Sequence, residues 1–481
     1  MSNYRQLFKS TGLLGSVQAL YILISVVRNK VAAQLIGAVG MGLADLYARS
    51  LDLLGGATNF GLGMSGVKRL SALAAEERAD RGKLAEEVKL LRTWVVVTAL
   101  LGAAVCLVFS PLISLFACDT TARTGAFCLL APAVAMTTLA GGEIAILKSL
   151  RHLKRLARAT LWNALFTLCG CWVSYALWGL DGVLPMLVAG TASLFGFHLR
   201  EAWQTFPYKI GPLRRDFLRP GWPLVKMGTA YVMAGVTTAA TEMLIRAALM
   251  RSGAGLMAIG YYAAGFTLTV SYARMVFVAM DADYFPRLSA IPAGDLRNQN
   301  VTINRQINTL IVLMAPFLMV FCLFLPWIIQ LLYTRDFLSI QPMVLCAAPF
   351  MYIKAIYAPV AYLALARGHS VRYMTMELIY DVVLCVSVIV GYYFGNLTGA
   401  GLALALANFF DLFLILTCYR KQYGFRISRG TRNRAVALFV LLAAALCAAS
   451  QPALWLRFGG GTLCLALTLP YLWPVLRKVR R

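Results

Sequence analysis

Long apolar runs separated by short polar gaps dominate this sequence from near residue 11 to near residue 476. A helix needs about 20 mostly apolar residues to cross a bilayer. Because the bilayer core offers no water to an open backbone, such runs form helices rather than loose strands. The pattern therefore predicts an all-α polytopic membrane protein with no room for a sizeable soluble domain.

The runs predict about fourteen transmembrane helices. The first run is longer than the apolar part of a signal peptide, about 7–15 residues, and lacks a small-residue cleavage site. We therefore interpret it as a spanning helix that also acts as a signal anchor. The predicted helices 1 to 14 cover residues 11–36, 43–66, 93–116, 123–147, 159–179, 183–199, 221–250, 258–280, 306–332, 342–366, 373–395, 399–419, 434–451 and 458–476.

The strong positive charge could indicate either of two partners, and its distribution decides between them. With 45 Lys and Arg against 20 Asp and Glu, the formal charge is +25, which in a soluble protein indicates nucleic acid. In the predicted topology, 34 of the 45 basic residues lie on the same side of the membrane as the N-terminus, and four lie on the opposite side. This bias follows the positive-inside rule. It predicts that both termini are cytoplasmic and that nucleic acid is not a partner.

Composition excludes several kinds of site. The chain is 60% hydrophobic and 14% charged, whereas soluble domains have about 25% charged residues. The cysteines lie almost all inside apolar runs and are interpreted as packing residues. The three histidines lie far apart at predicted helix ends, so no metal site is expected. A Walker-type phosphate loop is absent from the sequence, so we expect no ATP hydrolysis.

The connections on the predicted outer side are short. The longest inner connection, residues 68–92, carries basic and acidic residues together. We predict that it forms a short amphipathic helix on the membrane surface, with a solvated charged face rather than a binding site.

Two parts of the sequence resemble each other. Residues 68–73 match 286–291 at a similar place in each half, and Gly40 and Tyr47 match Gly255 and Tyr262. Two parallel copies of a six-helix unit would explain this, and such bundles place substrate between the halves. We predict an N-lobe at 1–220, a C-lobe at 221–425 and two extra helices at 426–481.

Ionisable side chains inside spanning helices cost about 3 kcal/mol each on insertion scales and mostly face cavities or partners. Polar residues recur at helical spacing on one face of predicted helices 1 and 7, and basic residues occur in helices 8 and 10. A polar cavity is our interpretation, with interhelical hydrogen bonding as the alternative. The cavity candidates are Gln18, Tyr21, Ser25, Arg28, Thr238, Glu242, Arg246, Arg274 and Lys354.

Local pairing weakens some of these candidates as ligands. Arg49 shares a helix face with Asp45 and Asp52, which are expected to neutralise it, and Glu242 and Arg246 are four residues apart. Arg28 and Lys354 have no acid within one turn of their own helices. We therefore expect these two to be the better anion ligands.

Three carboxylates in predicted helices 11 and 12 suggest ion coupling. Glu377 and Asp381 are four apart, so two like charges share one face in a low-dielectric region. A proton or a cation between them would relieve the repulsion, and Asp411 is a further candidate. The alternative is pairing with a basic group on another helix, for example Lys354.

Tyrosines are frequent in the second half of the chain. Their rings suit sugar faces, but they also suit the aromatic belts of membrane interfaces. We expect the belt role for most of them, which include Tyr261, Tyr262, Tyr272, Tyr352, Tyr357 and Tyr362.

Short glycine-rich and aromatic motifs flank several predicted helices. The motifs are Arg28-Asn29-Lys30 with Gly37–Gly42, Gly61–Gly63 with Ser65–Val67, Gly260–Tyr262, Ala279–Asp281, Tyr284–Ser289, Pro316 and Leu331–Tyr333. Over residues 1–425 they resemble those of the polysaccharide flippases of the Wzx or O-antigen translocase type, in the multidrug/oligosaccharidyl-lipid/polysaccharide (MOP) exporter superfamily.

The resemblance implies a flippase in the bacterial inner membrane. Such proteins move an undecaprenyl-diphosphate-linked oligosaccharide between leaflets by alternating access, through two six-helix lobes that form a V. The resemblance also implies a cationic cavity, to which Arg28, Arg246, Arg274 and Lys354 would belong by placement. No cofactor is implied beyond a coupling H⁺ or Na⁺, and partners would be the lipid-linked oligosaccharide, membrane lipids and other polysaccharide-assembly proteins.

Two alternatives remain at this point. The first is another MOP transporter, either a lipid II flippase or a drug/cation antiporter. Drug antiporters usually have twelve helices and an acidic cavity, which the predicted helix count and basic cavity disfavour. The second is a membrane glycan polymerase or ligase, which would need a large catalytic outer loop. Because the outer loops are short, we expect that the protein is not an enzyme.

Overall fold

The computed structural model describes residues 20–74, 81–212, 214–253, 255–271, 277, 284–285, 287–292, 294–451 and 453–479. These residues form helices and connecting turns, and no strand occurs among them. The predicted all-α membrane architecture is confirmed. The number of fourteen transmembrane helices stays a prediction.

The chain divides into two compact units, Met1–Gly260 and Tyr261–Arg481. Among its described residues, the first unit contains eight long helices and the beginning of a ninth. They are α1 (20–35), α2 (Gly37–Thr58), α3 (Leu62–Ala74), α4 (Arg81–Cys118), α5 (Ala131–Ser149), α6 (Leu153–Trp178), α7 (Val183–Trp203), α8 (Trp222–Met250) and α9 (Gly255–Phe266).

The second unit begins inside α9, which continues into a π-helical turn at Thr267–Ser271. The other helices of this unit are α10 (Leu296–Leu323), α11 (Leu325–Leu332), α12 (Gln341–Ala347), α13 (Pro349–Ala366), α14 (Ser370–Tyr423), α15 (Arg429–Ala449) and α16 (Leu454–Val479). Buried aliphatic and aromatic side chains from α10, α13, the end of α14 and α15 form a hydrophobic core.

The division into units falls later in the chain than the predicted lobe boundary. Helix α8 belongs to the first unit because it packs on α2 and α3. Compactness in one conformation does not define which helices move together. The lobes at 1–220 and 221–425, with 426–481 as an addition, therefore stay a prediction.

Seven helical stretches among the described residues are long and apolar enough to cross a membrane. Two of them, Leu153–Trp203 and Ser370–Tyr423, have 51 and 54 residues. At about 1.5 Å per residue each exceeds twice the hydrocarbon thickness of about 30 Å. Each reverses direction at a positive φ, 54° at Gly179 and 48° at Asn396. Each stretch is therefore a pair of crossing helices rather than one.

The prediction of a separate surface helix at 68–92 is wrong for the described residues of this segment. Residues 68–74 continue α3 and residues 81–92 begin α4, while 75–80 lie outside the described residues. The ion pair between Arg69 and Glu87 joins these two extensions. The charged residues thus extend long helices instead of forming a separate one.

The C-terminal helix pair is part of the second unit. Helices α15 and α16 pack on each other and on α10. At the end of α10, the guanidinium of buried Arg457 donates to the carbonyl oxygen of Leu323 at 2.6 and 3.0 Å and lies over the Trp327 ring. An arginine from α16 thus satisfies a helix-terminal carbonyl that has no partner within α10.

A fully buried ion pair joins helices inside the first unit. Arg92 of α4 and Glu143 of α5, both 2% exposed, form two hydrogen bonds of 2.8 Å. The third guanidinium nitrogen donates to the carbonyl oxygens of Phe206 and Pro207, and the Tyr208 ring lies 4.8 Å from the guanidinium carbon. The arginine therefore joins α4, α5 and the segment after α7, a role that the sequence analysis did not identify.

We expect Glu143→Ala to destabilise the protein strongly. The change leaves the Arg92 guanidinium buried without its carboxylate, which typically costs about 3–5 kcal/mol. Thermal unfolding of the purified protein in detergent measures the loss. Replacing both partners by apolar residues, Arg92→Met with Glu143→Leu, is expected to cost less than the single change. An unchanged melting temperature in Glu143→Ala would contradict this role.

Candidate functional site

A charged network between α2 and α8 forms the core of the site in the first unit. On α2, Asp45, Arg49 and Asp52 share one face because they are spaced by four and three residues. The Arg49 guanidinium lies 3.3 Å from an Asp45 oxygen and 3.0 Å from an Asp52 oxygen. The expected neutralisation of Arg49 is therefore present.

The side chains of Glu242 and Arg246 on α8 pair with residues of α2, whereas their spacing of four residues suggested that they pair with each other. The Arg246 side chain reaches across to Asp45, with an Nε–Oδ2 distance of 2.8 Å, and donates to the backbone oxygen of Glu242. The Glu242 carboxylate reaches the other way, with 2.8 Å between its Oε2 and a guanidinium nitrogen of Arg49. The acids and arginines are thus paired between helices, which sequence spacing within one helix does not reveal.

Burial makes this network costly to break. Arg246 is 1% exposed, and removing one partner of a buried ion pair leaves an uncompensated charge in a low-dielectric region. The network contains three carboxylates and two guanidiniums. In this conformation Arg246 is engaged by an acid, and its predicted role as an anion ligand stays a prediction.

Glycines bring the backbones of these helices into contact. A Cβ on Gly42 would lie 1.9 Å from the carbonyl oxygen of Leu256, and one on Gly260 would lie 1.9 Å from that of Ala38. A Cβ on Gly61, whose φ is +63°, would lie 2.1 Å from the carbonyl oxygen of Gly228. Only glycine permits such approaches. Several glycines of the family-like motifs are therefore contact points between α2–α3 and α8–α9.

A cavity of about 540 Å³ adjoins the network in the first unit. Asp52 belongs to both, and Lys148, Asn59 and Thr137 contribute further polar groups to the wall. Much of the remaining wall is glycine or aliphatic, from α2, α3, α4 and α5. A pocket that is mostly apolar with a few convergent polar groups is the usual form of a ligand site.

Arg28, Tyr21 and Ser25 lie on α1, which is not one of the two helices of this network. Arg28 is half-buried on α1 and interacts electrostatically with Cys171 and Tyr175 of α6. No carboxylate among the described residues pairs with it. Half-buried side chains also include those of Tyr21, Ser25 and Thr238, while Gln18 and Arg274 lie outside the described residues.

A second polar cluster lies inside the second unit. The Tyr357 hydroxyl of α13 donates to the Asn408 side-chain oxygen at 2.8 Å, and Asn408 donates to Tyr380 at 3.1 Å. Asp411 interacts electrostatically with the same Tyr357 and with Lys354. The structure thus connects α13 with both halves of α14 through polar side chains.

The predicted coupling residues belong to this cluster. Asp411 interacts electrostatically with Glu377 and Asp381, and Asp381 and Asp411 are almost completely buried. The Lys354 ammonium also lies 5.9 and 5.6 Å from the ring centroids of Phe277 and Phe350. The carboxylates predicted for ion coupling and Lys354, predicted as their alternative partner, thus belong to the same cluster.

Donors for a metal ion do not converge here. Among the described residues, no group of three histidine, cysteine or acidic side chains has a geometry that could hold a metal ion. The expectation for the tyrosines is wrong for Tyr352 and Tyr357, which are buried and hydrogen-bonded inside the unit. Tyr262 is also fully buried, and Tyr272 lies outside the described residues. Asn408 was missed because an amide in an apolar helix carries no charge signal.

Comparison with known proteins identifies the family to which the chain belongs. A family model described as "Polysaccharide biosynthesis protein" matches residues 78–342, more than half of the chain. The chain therefore belongs to this family. No curated protein sequence matches it.

Solved structures show the fold. The lipid II flippase MurJ, in an inward closed conformation, matches with a TM-score of 0.71 and 13% identity, covering 98% of this chain and 100% of that one. An inward-facing multidrug resistance MATE family transporter of the MOP superfamily has a TM-score of 0.66 at 12% identity, covering 88% and 96%. A MOP superfamily transporter from Pyrococcus furiosus, described as having a binding pocket of reverse polarity, has a TM-score of 0.51 at 13% identity, covering 89% and 94%. The predicted fold, which these transporters share, is confirmed.

We expect the Asp45–Arg246 contact to be energetically coupled. In a double-mutant cycle with Asp45→Asn and Arg246→Gln, the coupling free energy should be about 1–3 kcal/mol. Thermal unfolding of the four proteins measures it. The matched control pairs Asp45→Asn with Arg251→Gln, because Arg251 pairs instead with Asp119, and its coupling should stay below about 0.5 kcal/mol. Equal coupling in both cycles would contradict a specific contact.

Proposed function

We propose that this protein is a flippase that translocates an undecaprenyl-diphosphate-linked oligosaccharide, the repeat unit of a surface polysaccharide such as O-antigen, across the bacterial inner membrane. Transport proceeds by alternating access and is coupled to an ion. The observation that carries the proposal is the polysaccharide-biosynthesis family match over more than half of a chain with the MOP fold. The lipid II flippase among its structural relatives moves a substrate of related chemistry.

The substrate explains why basic residues would occupy spanning helices. A diphosphate must be held by cations once it leaves water, because unpaired charge is costly in a low-dielectric cavity. Arg28 has no carboxylate partner among the described residues, and Lys354 lies beside aromatic rings at the edge of an acidic cluster. We assign these two as the principal diphosphate ligands, with Arg274 and Arg246 as further ligands and Gln18, Tyr21, Ser25, Thr238 and Glu242 as polar cavity groups.

Arg246 would change role during the transport cycle. Its carboxylate partner Asp45 lies on α2, in the predicted N-lobe, whereas Arg246 lies in the predicted C-lobe. When the lobes rearrange, the ion pairs between α2 and α8 would open and expose both arginines to the cavity. The same network would thus stabilise one conformation and bind anion in the other.

Coupling is assigned to the cluster in the second unit. Glu377, Asp381 and Asp411 interact electrostatically within one cluster beside Lys354. Two like charges in a low-dielectric site favour protonation of one of them or capture of a cation. A proton or Na⁺ that compensates this cluster would link its occupancy to the conformation of α13 and α14.

The same proposal includes the orientation in the membrane. The positions of 34 of the 45 basic residues support an inner-membrane protein with both termini in the cytoplasm. Its expected partners are the lipid-linked oligosaccharide, membrane lipids and the proteins that assemble the polysaccharide.

Another MOP transporter activity and a membrane glycan polymerase or ligase are the competing functions. A drug antiporter would move organic cations and not respond to loss of basic residues. A polymerase or ligase would form glycosidic bonds, which a transport assay with a single lipid-linked repeat unit does not require. Movement of the intact substrate distinguishes all three.

We expect Arg28→Ala and Lys354→Ala each to lower transport at least tenfold without lowering the amount of protein in the membrane. The loss of a hydrogen bond to a charged group costs about 1.5–3 kcal/mol, which corresponds to about 10–100-fold. Surface glycan display in a strain that lacks the native gene measures transport. Arg335→Ala, an exposed position on the predicted outer side, is the control and should be neutral. Full activity of both cavity variants would contradict the assignment.

We expect Asp411→Asn to separate transport from its driving force. The variant should equilibrate substrate between leaflets but lose accumulation driven by an imposed H⁺ or Na⁺ gradient, because one titratable site is gone. Proteoliposomes with defined ion gradients provide the measurement. Glu86→Gln, an exposed acidic position on α4, is the matched control. Gradient-driven accumulation equal to that of the native protein would overturn the coupling assignment.

A further inference from the structure

The α14–α15 connection, taken as residues 420–434 with the adjoining helix ends, carries basic side chains and no acidic ones. The sequence contains no Asp or Glu after Asp411. Six basic side chains follow within fifteen residues, and all six are exposed: Arg420, Lys421, Arg426, Arg429, Arg432 and Arg434. No ion pair joins any of them to another residue that the structure describes. The positive-inside rule accounts for the sign of this charge but not for its local arrangement.

A ladder of side-chain amides on α10 holds the backbone of this basic connection. Asn300 accepts from the Arg426 amide at 2.8 Å, and Asn304 accepts from the Ser428 amide at 2.8 Å while donating to the Arg426 carbonyl oxygen at 3.0 Å. One turn further, Asn308 donates to the Thr431 hydroxyl at 2.7 Å. The three asparagines are four residues apart and form one face of α10. They fix the connection, so its basic side chains project from an ordered backbone.

The nearest acid in the sequence of α10 does not neutralise the connection. Asp295 is the N-cap of α10 and accepts from the backbone amide and the side chain of Asn298. These hydrogen bonds lower the pKa of the Asp295 carboxyl. The carboxylate is thus committed to its own helix terminus.

Exposed apolar stripes run from the basic side chains along both flanking helices. On α15, Arg432, Val436 and Val440 are spaced by four residues, and both valines are 59% exposed. On α14, Phe413, at 69% exposed, precedes Arg420 by seven residues and lies on the same face. The two helices meet where Phe409 packs edge-on against Phe439, at 5.5 Å between ring centroids. A cationic end followed by exposed apolar side chains matches the chemistry of an anionic lipid.

We propose that the α14–α15 connection is a binding site for the phosphodiester headgroup of an anionic membrane phospholipid, whose acyl chain lies along Phe413, Val436 and Val440. Arginine fits this role because its planar guanidinium binds phosphate oxygens in pairs. Clusters of basic residues immediately next to a transmembrane helix bind anionic lipids. A soluble phosphate compound would gain nothing from the apolar stripes. The site does not depend on which substrate the protein transports.

Native mass spectrometry of the full-length protein in detergent, with phosphatidylglycerol or phosphatidylcholine added, tests the site. Arg429→Gln with Arg432→Gln should weaken phosphatidylglycerol binding at least fivefold and leave phosphatidylcholine binding unchanged, because each basic residue near a membrane surface contributes about 1 kcal/mol of attraction, equal to about fivefold. Arg251→Gln with Arg335→Gln removes the same charge at the opposite predicted side and should have no effect. An equal loss in both double variants would overturn the proposal, because only net charge would then matter.

Two further variants separate an ordered site from a diffuse charge. Asn300→Ala with Asn304→Ala keeps every charge but removes the ladder, and should weaken phosphatidylglycerol binding at least threefold. Val436→Ser with Val440→Ser changes only exposed side chains, so folding is preserved, and should weaken binding of the long-chain lipid but not of its short-chain analogue. Native affinity in both variants would overturn the proposal. So would displacement of phosphatidylglycerol by undecaprenyl phosphate at a tenfold lower concentration, since the site would then belong to the substrate.

Discussion

The compensation of charge inside apolar helices is the constraint on which the rest of this structure depends. A lone charge in a low-dielectric interior costs several kcal/mol, so each buried ionisable group needs a partner, a proton or a ligand. Arg92 and Glu143 satisfy each other completely and join three segments of the first unit. Asp45, Arg49, Glu242 and Arg246 do the same between α2 and α8. Charged side chains inside apolar helices, among them Arg28, Arg246, Lys354 and Asp411, are the ones to which we assign function.

Glycine contacts act together with these ion pairs. Backbone contact at Gly42 and Gly260, and again at Gly61 and Gly228, brings α2–α3 close enough to α8–α9 for the ion pairs to form. Ion pairs and backbone contacts can be exchanged for water or a ligand more readily than an interdigitated aliphatic core. An interface of this composition suits helices that separate during a transport cycle. The aliphatic and aromatic core of the second unit suits helices that stay together.

The long apolar runs were sufficient to predict an all-helical membrane architecture, because spanning a bilayer fixes both the length and the polarity of a helix. The end of α10 at Leu323 was not predictable in this way, because the apolar pattern continues across it. The turn at Asn396, by contrast, lies in the gap between the predicted helices 11 and 12, at 373–395 and 399–419. The extension of α3 and α4 into residues 68–92 was missed because charged residues there remove the apolar signal while leaving helix propensity intact.

The site residues were predictable only as far as charge reveals them. Intramembrane charges such as Arg246, Lys354 and Asp411 were apparent from the sequence, but their partners were not, because pairing across helices depends on packing. Neutral amides carry no such signal, which is why the roles of Asn408 and of the ladder Asn300, Asn304 and Asn308 emerged only from the structure.

The most direct test of the central claim is reconstitution of the purified protein into liposomes with a fluorescent undecaprenyl-diphosphate-linked oligosaccharide in one leaflet. Accessibility of the label to a membrane-impermeant quencher reports its movement to the other leaflet. The account predicts that the protein accelerates this movement well above that of protein-free liposomes and does not accelerate movement of an organic cation. Movement of the organic cation with no movement of the lipid-linked oligosaccharide would contradict it.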